Sequence, residues 1–122
     1  MLISYLVLML VLSGFLAAPL SAQESFYRGK TLRLVVGFSA GGGFDVYSRA
    51  ISRHIGRHIP GSPSVVVENM TGAGSMVAAN HVFRAAKPDG LTIGNVNGGL
   101  FVQQLLGWPG IEFDAAKFEH LV

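Results

Sequence analysis

The sequence predicts an α/β fold built on a three-stranded parallel sheet, with elements in the order βαβαβα. Three short runs rich in Val, Leu and Ile alternate with segments whose apolar residues recur at helical spacing. A glycine-containing junction follows each run, at residues 38–43 (junction A), 70–74 (junction B) and 97–99 (junction C). Strands joined through helices pair in parallel by right-handed crossovers, so the three junctions should share one edge of the sheet.

The first predicted strand is Thr31 to Phe38, which is β-branched and apolar and is bounded by glycine. Its centre, residues 34–36, is continuously apolar, which is typical of a strand covered on both faces. The strand should therefore lie inside the sheet.

The next segment is predicted to be a helix with two stripes at four-residue spacing. The apolar stripe consists of Tyr47, Ile51, Ile55 and Ile59. The basic stripe consists of Arg49, Arg53 and Arg57. We expect the apolar stripe to pack on the sheet and the basic stripe to face water. The Pro- and Gly-containing segment 60–63 ends this helix.

The remaining elements follow the same alternation. A second strand is predicted at 64–69, a helix at about 75–86, a third strand at 91–96 and a short helix at about 100–106. The final segment, 111–122, has no obvious partner. We therefore expect exposed strand edges, uncovered Phe113 and Phe118 and marginal stability.

The first 22 residues are predicted to be a secretory signal peptide rather than part of the domain. They contain no Asp, Glu, Lys or Arg, and Pro19 and small residues precede a cleavage site after Ala22. The alternative is an uncleaved membrane anchor, because the apolar run is long enough to span a bilayer. The domain is then residues 23–122.

Composition excludes several classes of protein. The formal net charge of +2 is mild and scattered, which argues against a dedicated nucleic-acid surface. The chain has no cysteine, so disulfides and thiolate metal sites are excluded. His54 and His58 lie four residues apart, but no Glu follows His54 as in a metalloprotease helix, so a solvated basic face is favoured.

The glycine junctions predict an anion site without a metal or cofactor. Backbone N–H groups and the positive ends of helix dipoles would meet at one edge, and glycine lets a ligand approach the backbone. Junction A lacks the Gly-Lys-Ser/Thr ending of a P-loop and the glycine spacing of a dinucleotide-binding fingerprint. The remaining interpretations are a carboxylate or phosphate site and a plain tight turn.

Side chains near the junctions admit two interpretations. Asp45 in the first helical turn is interpreted as a cap rather than a catalytic acid. Ser39, Thr71 and Ser75 could be nucleophiles, but no recognisable base or Gly-x-Ser-x-Gly motif accompanies them. Hydroxyl donation or capping is favoured, and a small α/β enzyme acting on a phosphorylated or carboxylated substrate is the alternative function.

Three motifs, in this order and spacing, resemble the solute-binding proteins of tripartite tricarboxylate transporters, the Bug or TctC family. They are Leu34 to Asp45 with Arg49 beyond, the Val-Glu-Asn and Gly-Ala-Gly run from Val65 to Ser75, and Lys87 to Thr92. The stretch Phe113 to Phe118 also fits the family. The resemblance covers nearly all of residues 26–122.

The resemblance implies a periplasmic, two-lobed Venus-flytrap protein that carries a small carboxylate to membrane transporter subunits, without cofactor, metal or catalysis. It implies a monomer of about three times this mature length, so this chain is expected to be the N-terminal part of lobe 1. Gly37 stands where many members have proline, a change expected to be tolerable.

The resemblance points to residues 38–43 and 72–75 as ligand-binding, with Asp45 bracing junction A, and the junction argument selects the same loops. With Thr71 and Asn97 added from the positions of hydroxyls and strand ends, the predicted ligand-binding residues are Phe38, Ser39, Ala40, Gly41, Gly42, Gly43, Asp45, Thr71, Gly72, Ala73, Gly74, Ser75 and Asn97. An inactive remnant of a longer protein is the third interpretation of this polypeptide.

Overall fold

A computed structural model describes residues 26–121, and the predicted signal peptide lies outside the described residues. The predicted α/β fold with a parallel three-stranded sheet is confirmed. The strands are β1, Thr31–Val36, β2, Ser64–Asn69, and β3, Thr92–Asn95, in the spatial order β2-β1-β3. In this part of the chain, no helix is long and apolar enough to cross a membrane.

The strand register places three strand ends side by side. Val36 of β1 is aligned with Asn69 of β2 on one side and with Asn95 of β3 on the other. The carboxyl edge of the sheet therefore carries two asparagines flanking a fully buried valine.

Three helices follow the strands in turn: α1, Gly43–Ile55, α2, Met76–Arg84, and α3, Gly99–Leu105. Because β2 and β3 lie on opposite sides of β1, right-handed crossovers place α1 and α2 on opposite faces of the sheet. Side chains agree with this arrangement, since Asn95 hydrogen bonds to Ser48 of α1, whereas a Cβ at the adjacent Gly94 would meet Val82 of α2.

The face that α1 turns to the sheet differs from the predicted one. Tyr47, expected in the buried stripe, is 65% exposed, whereas Asp45 and Ser48 are buried. The Nδ2 of Asn95 donates to the Ser48 Oγ over 2.7 Å. The sheet edge beneath this end of α1 carries polar asparagines, and buried polar groups require hydrogen-bonding partners. Polar complementarity therefore sets the orientation of the first half of α1.

The expectation that Phe113 and Phe118 are uncovered is wrong. Phe113 is only 5% exposed and belongs to a core cluster with Ala79 and Leu100. Phe118 stands edge-on to Phe83, with ring centroids 5.5 Å apart. The last segment thus packs against α2 and α3 and completes a small core with them.

Asn80 of α2 fixes this last segment through its backbone. Its Nδ2 donates to the carbonyl of Gly110 over 2.8 Å, and its Oδ1 accepts the N–H of Glu112 over 2.9 Å. Glu112 also forms an ion pair with Arg84 at 2.7 Å. An asparagine side chain can satisfy both a donor and an acceptor of an irregular backbone, which explains how a segment without regular structure is held.

Candidate ligand-binding site

Hydrogen bonds at the carboxyl edge of the sheet link junctions A and C to the residues that flank junction B. Asn69, the last residue of β2, donates from Nδ2 to the carbonyl of Phe38 in junction A over 2.9 Å. The N–H of Asn97 in junction C donates to the Oγ of Ser75, which follows junction B, over 2.8 Å. The meeting of the junctions predicted from the parallel sheet is therefore observed.

Junctions A and B line a cleft, and junction C does not. The cleft has a volume of about 290 Å³ and lies between residues 37–39 and residues 71–75. Ser39 and Thr71 on its walls are exposed, so their hydroxyls can reach a ligand. Among the described residues that line it, no side chain is a carboxylate, imidazole, amine or guanidinium. The cleft therefore offers backbone groups, hydroxyls and one aromatic ring.

Junction A uses part of its donor capacity to fix its own conformation. Gly41, with φ at +81°, donates its N–H to the Oδ2 of Asp45 over 2.8 Å, and the Gly42 N–H donates to the carbonyl of Ser39. The first two residues of α1 are Gly43 and Phe44, whose N–H groups have no acceptor within the helix. These N–H groups and the helix dipole give junction A an electropositive end.

Asp45 binds the junction rather than the first turn of its own helix. Its side chain is buried and accepts from Nε of Arg49 at 2.9 Å, from the N–H of Gly41 and from Nδ2 of Asn69 at 2.9 Å. These donors, with Arg49 the strongest, hold the pKa of the Asp45 carboxyl well below its usual range. An ionised carboxylate with three donors is a positioning group and is poorly suited to accept a proton.

Arg49 and Asn69 complete this network, and residue patterns alone missed their roles. Arg49 is expected from its stripe to face water, but it bridges Asp45 and the Oδ1 of Asn69, the latter over 3.0 Å. The four-residue spacing from Asp45 to Arg49 is a signal that could have indicated the ion pair. The contact with Asn69 depends on the pairing of β1 with β2 and has no local signal.

Junction B is built from strained backbone. Ala73 and Ser75 both have positive φ, at 46° and 77°, as do the neighbouring Gly72 and Gly74. Positive φ is uncommon outside glycine and persists only where surrounding contacts enforce it. Ser75 is almost completely buried against Gly37, where a Cβ would stand 2.2 Å from the Ser75 Cβ. Close packing of β1 on Ser75 thus fixes this wall of the cleft.

Junction C is held by one hydrogen bond within the junction and one to Ser75. Asn97 accepts the N–H of Gly99 on its own Oδ1 over 2.9 Å, while its N–H is bonded to Ser75. Of the predicted ligand-binding residues, those outside the cleft lining are Ala40, Gly41, Gly42, Gly43, Asp45 and Asn97. Within residues 26–121, no group of three or more acidic or histidine side chains could hold a metal ion.

Comparison with known proteins shows similarity to curated sequences and to a solved structure. A UPF0065 protein of Cupriavidus necator, encoded in the gbd 5′ region, is 36% identical over 83 residues, which are 68% of this chain and 24% of that protein. A UPF0065 protein of Bordetella bronchiseptica is 30% identical over 97 residues, or 80% of this chain and 28% of that protein. No family model matches the chain.

The similar structure is described as that of a periplasmic transporter. It shares 34% sequence identity with this chain at a TM-score of 0.50, over 56% of this chain and 22% of that one. The chain thus spans about a quarter of the length of the relatives it matches. These similarities support the family-level resemblance.

Proposed function

We propose that this chain contributes the glycine-junction wall of a periplasmic solute-binding protein, which captures a small carboxylate for a tripartite tricarboxylate-type transporter. The observation that carries the proposal is the cleft at the carboxyl edge of the sheet, between junctions A and B. Ligands of open α/β sheets bind at this edge. The similarity to UPF0065 proteins and to a periplasmic transporter supports the same role.

The polar groups of the cleft suit a carboxylate. The hydroxyls of Ser39 and Thr71 can donate to carboxylate oxygens, and the electropositive start of α1 follows Ser39 in junction A. The network around Asp45 holds junction A in place before a ligand arrives, which lowers the ordering cost of binding. The ligand would then be held by oriented backbone and hydroxyl donors rather than by a salt bridge.

The structure gives no support to the enzyme alternative. Among the described residues that line the cleft there is no titratable side chain, and the nearby Asp45 is already engaged by three donors. Acid–base or nucleophilic catalysis needs a group with a pKa near the working pH next to the substrate. We infer that the protein binds its solute without altering it.

Export and delivery belong to the same proposal. Cleavage after Ala22 would release the domain into the periplasm, and the membrane subunits of the transporter would receive the solute. The relatives are about four times as long as the matched part, so closure around a ligand is proposed only for a protein of that length.

The test is a titration of the isotope-labelled chain followed by the amide signals of junctions A and B. Succinate, glutamate and citrate should shift the signals of residues 38–44 and 71–75 in a saturable way, whereas the matched uncharged amide, succinamide, should not. Ser39→Ala should weaken binding several-fold by removing one donor. The control is Ser64→Ala, at the opposite end of β2, which should leave binding unchanged. Equal shifts with succinate and succinamide would contradict the proposal that the site recognises a carboxylate.

A further inference from the structure

Two phenylalanines form a stacked pair beside the candidate site. The rings of Phe38 and Phe44 lie 4.2 Å apart between centroids and are inclined by only 21°. Phe38 belongs to junction A, and Phe44 is the second residue of α1. The sequence analysis treats Phe38 only as a residue of junction A and does not predict that it stacks on Phe44.

The two rings differ in their relation to the cleft. Phe38 is half-buried and lines the cleft, while Phe44 is 40% exposed and lies outside the cleft lining. A phenylalanine ring is more often packed in a core, whereas Phe44 lies at the glycine-rich start of a helix and is partly open to water. Phe38 is thus the ring that the cleft presents to a ligand, and Phe44 packs against it; we call this stacked pair the aromatic shelf.

Resting on the proposed function, we propose that the solute is an aromatic carboxylate, whose carboxylate meets the donors of junctions A and B while its ring packs on the aromatic shelf. Aromatic rings attract each other in offset or edge-on arrangements beyond the effect of the area they bury. A saturated ring of similar size gains the burial but not this additional attraction. The shelf therefore distinguishes ligands by aromaticity and not only by size.

The neighbouring groups agree with this class of ligand. Within the described part of the chain, no basic side chain lines the cleft to pair with a second carboxylate, so a ligand with one anionic end and one apolar end fits its lining better than a short dicarboxylate. Arg49, the cation of the junction A network, is already bound to Asp45 and Asn69. We expect the preference for aromatic over saturated ring to be about 2- to 12-fold in Kd.

The experiment compares benzoate with cyclohexanecarboxylate on the full chain, by amide-shift titration, with acetate as the minimal carboxylate. Phe38→Leu removes the ring that lines the cleft but keeps an apolar side chain, and Phe38→Tyr keeps the ring. Because Phe38 is half-buried and Asn69 holds it through its backbone carbonyl, both variants should fold, which far-UV circular dichroism checks. Tyr47→Leu is the matched control, since Tyr47 is an exposed aromatic residue of α1 outside the cleft.

The expected result is a benzoate preference that is present in the wild-type protein, Phe38→Tyr and Tyr47→Leu and disappears in Phe38→Leu. Equal affinity for benzoate and cyclohexanecarboxylate in the wild-type protein, or a preference that survives Phe38→Leu, overturns the aromatic inference while carboxylate capture stands. If no carboxylate, acetate included, shifts junctions A and B, the proposed function itself fails and the inference falls with it.

Discussion

Replacement of Gly37 by alanine tests whether the contact between β1 and Ser75 sets the geometry of the cleft. A Cβ at Gly37 would lie 2.2 Å from the Cβ and 3.0 Å from the Cα of Ser75, against 3.4–4 Å for an ordinary contact. Rotation of the serine side chain moves neither of these atoms. The backbone of β1 or of Ser75 must therefore shift by more than an ångström. The substitution of the family's proline by glycine is expected to be tolerable at this position because glycine has no Cβ. Any residue with a Cβ would meet Ser75 here.

The expected loss of stability is at the upper end of that for overpacked cores, about 3 kcal/mol. For a domain of this size, that corresponds to a fall of roughly 12–24 °C in Tm. The assay is urea and thermal unfolding followed by circular dichroism. Gly98→Ala is the matched control, because Gly98 has helical φ and ψ and a Cβ there would meet nothing within 4 Å, so the stability should change little.

A double variant separates the steric clash from other effects. Ser75→Gly removes the opposing Cβ and relieves a positive φ of 77°, at the cost of the hydroxyl that accepts the Asn97 N–H. In the Ser75→Gly background, Gly37→Ala should cost much less than in the wild-type protein, which gives a coupling energy of about 1–3 kcal/mol. A single-variant loss below about 0.5 kcal/mol, or the absence of coupling, would refute the reasoning.

Three other predictions follow from the polar contacts. Because its partners hold the pKa of Asp45 below the usual value, this carboxylate stabilises the fold fully above about pH 4 and loses that contribution as the pH falls towards its folded pKa. Asp45→Asn should therefore lower the urea midpoint of unfolding at pH 7, and the midpoint of this variant should fall less steeply between about pH 5 and 2 than that of the wild-type protein. The same dependence of the midpoint on pH in both proteins would contradict this prediction. Asn80→Ala removes two bonds to the last segment and should cost about 2–3 kcal/mol, with faster amide exchange over residues 111–118; unchanged exchange there would show that the aromatic contacts alone hold the segment. Glu68→Gln breaks an ion pair with Arg33 at 2.7 Å, but both side chains are about 40% exposed, so the free energy of unfolding should fall by less than about 1 kcal/mol, and a larger loss would mean that the pair is not screened by solvent.

Local sequence was sufficient for the elements and for the candidate edge of the sheet. The predicted bounds of β2 are the observed ones, and the glycines, Pro-containing turns and β-branched runs place the other elements to within a few residues. Parallel pairing then follows from the alternation of strands and helices, and with it the meeting of the junctions. Each of these features depends on neighbouring residues or on chain connectivity, which a sequence contains directly.

Contacts between distant residues decided the rest. The burial of Asp45 and Ser48 in place of Tyr47 depends on which side chains β2 and β3 present beneath α1. The burial of Phe113 likewise depends on the packing of the last segment against α2 and α3.

The same distinction applies to the candidate site. The sequence determined that glycine-rich, donor-bearing loops lie at one edge of a parallel sheet. The tertiary structure decided that junctions A and B form the cleft, that Asn97 of junction C lies outside it and donates to Ser75, and that Phe44 stacks on Phe38. Backbone conformation is governed largely by local sterics, whereas burial and hydrogen-bond partners are shared among segments that only folding brings together.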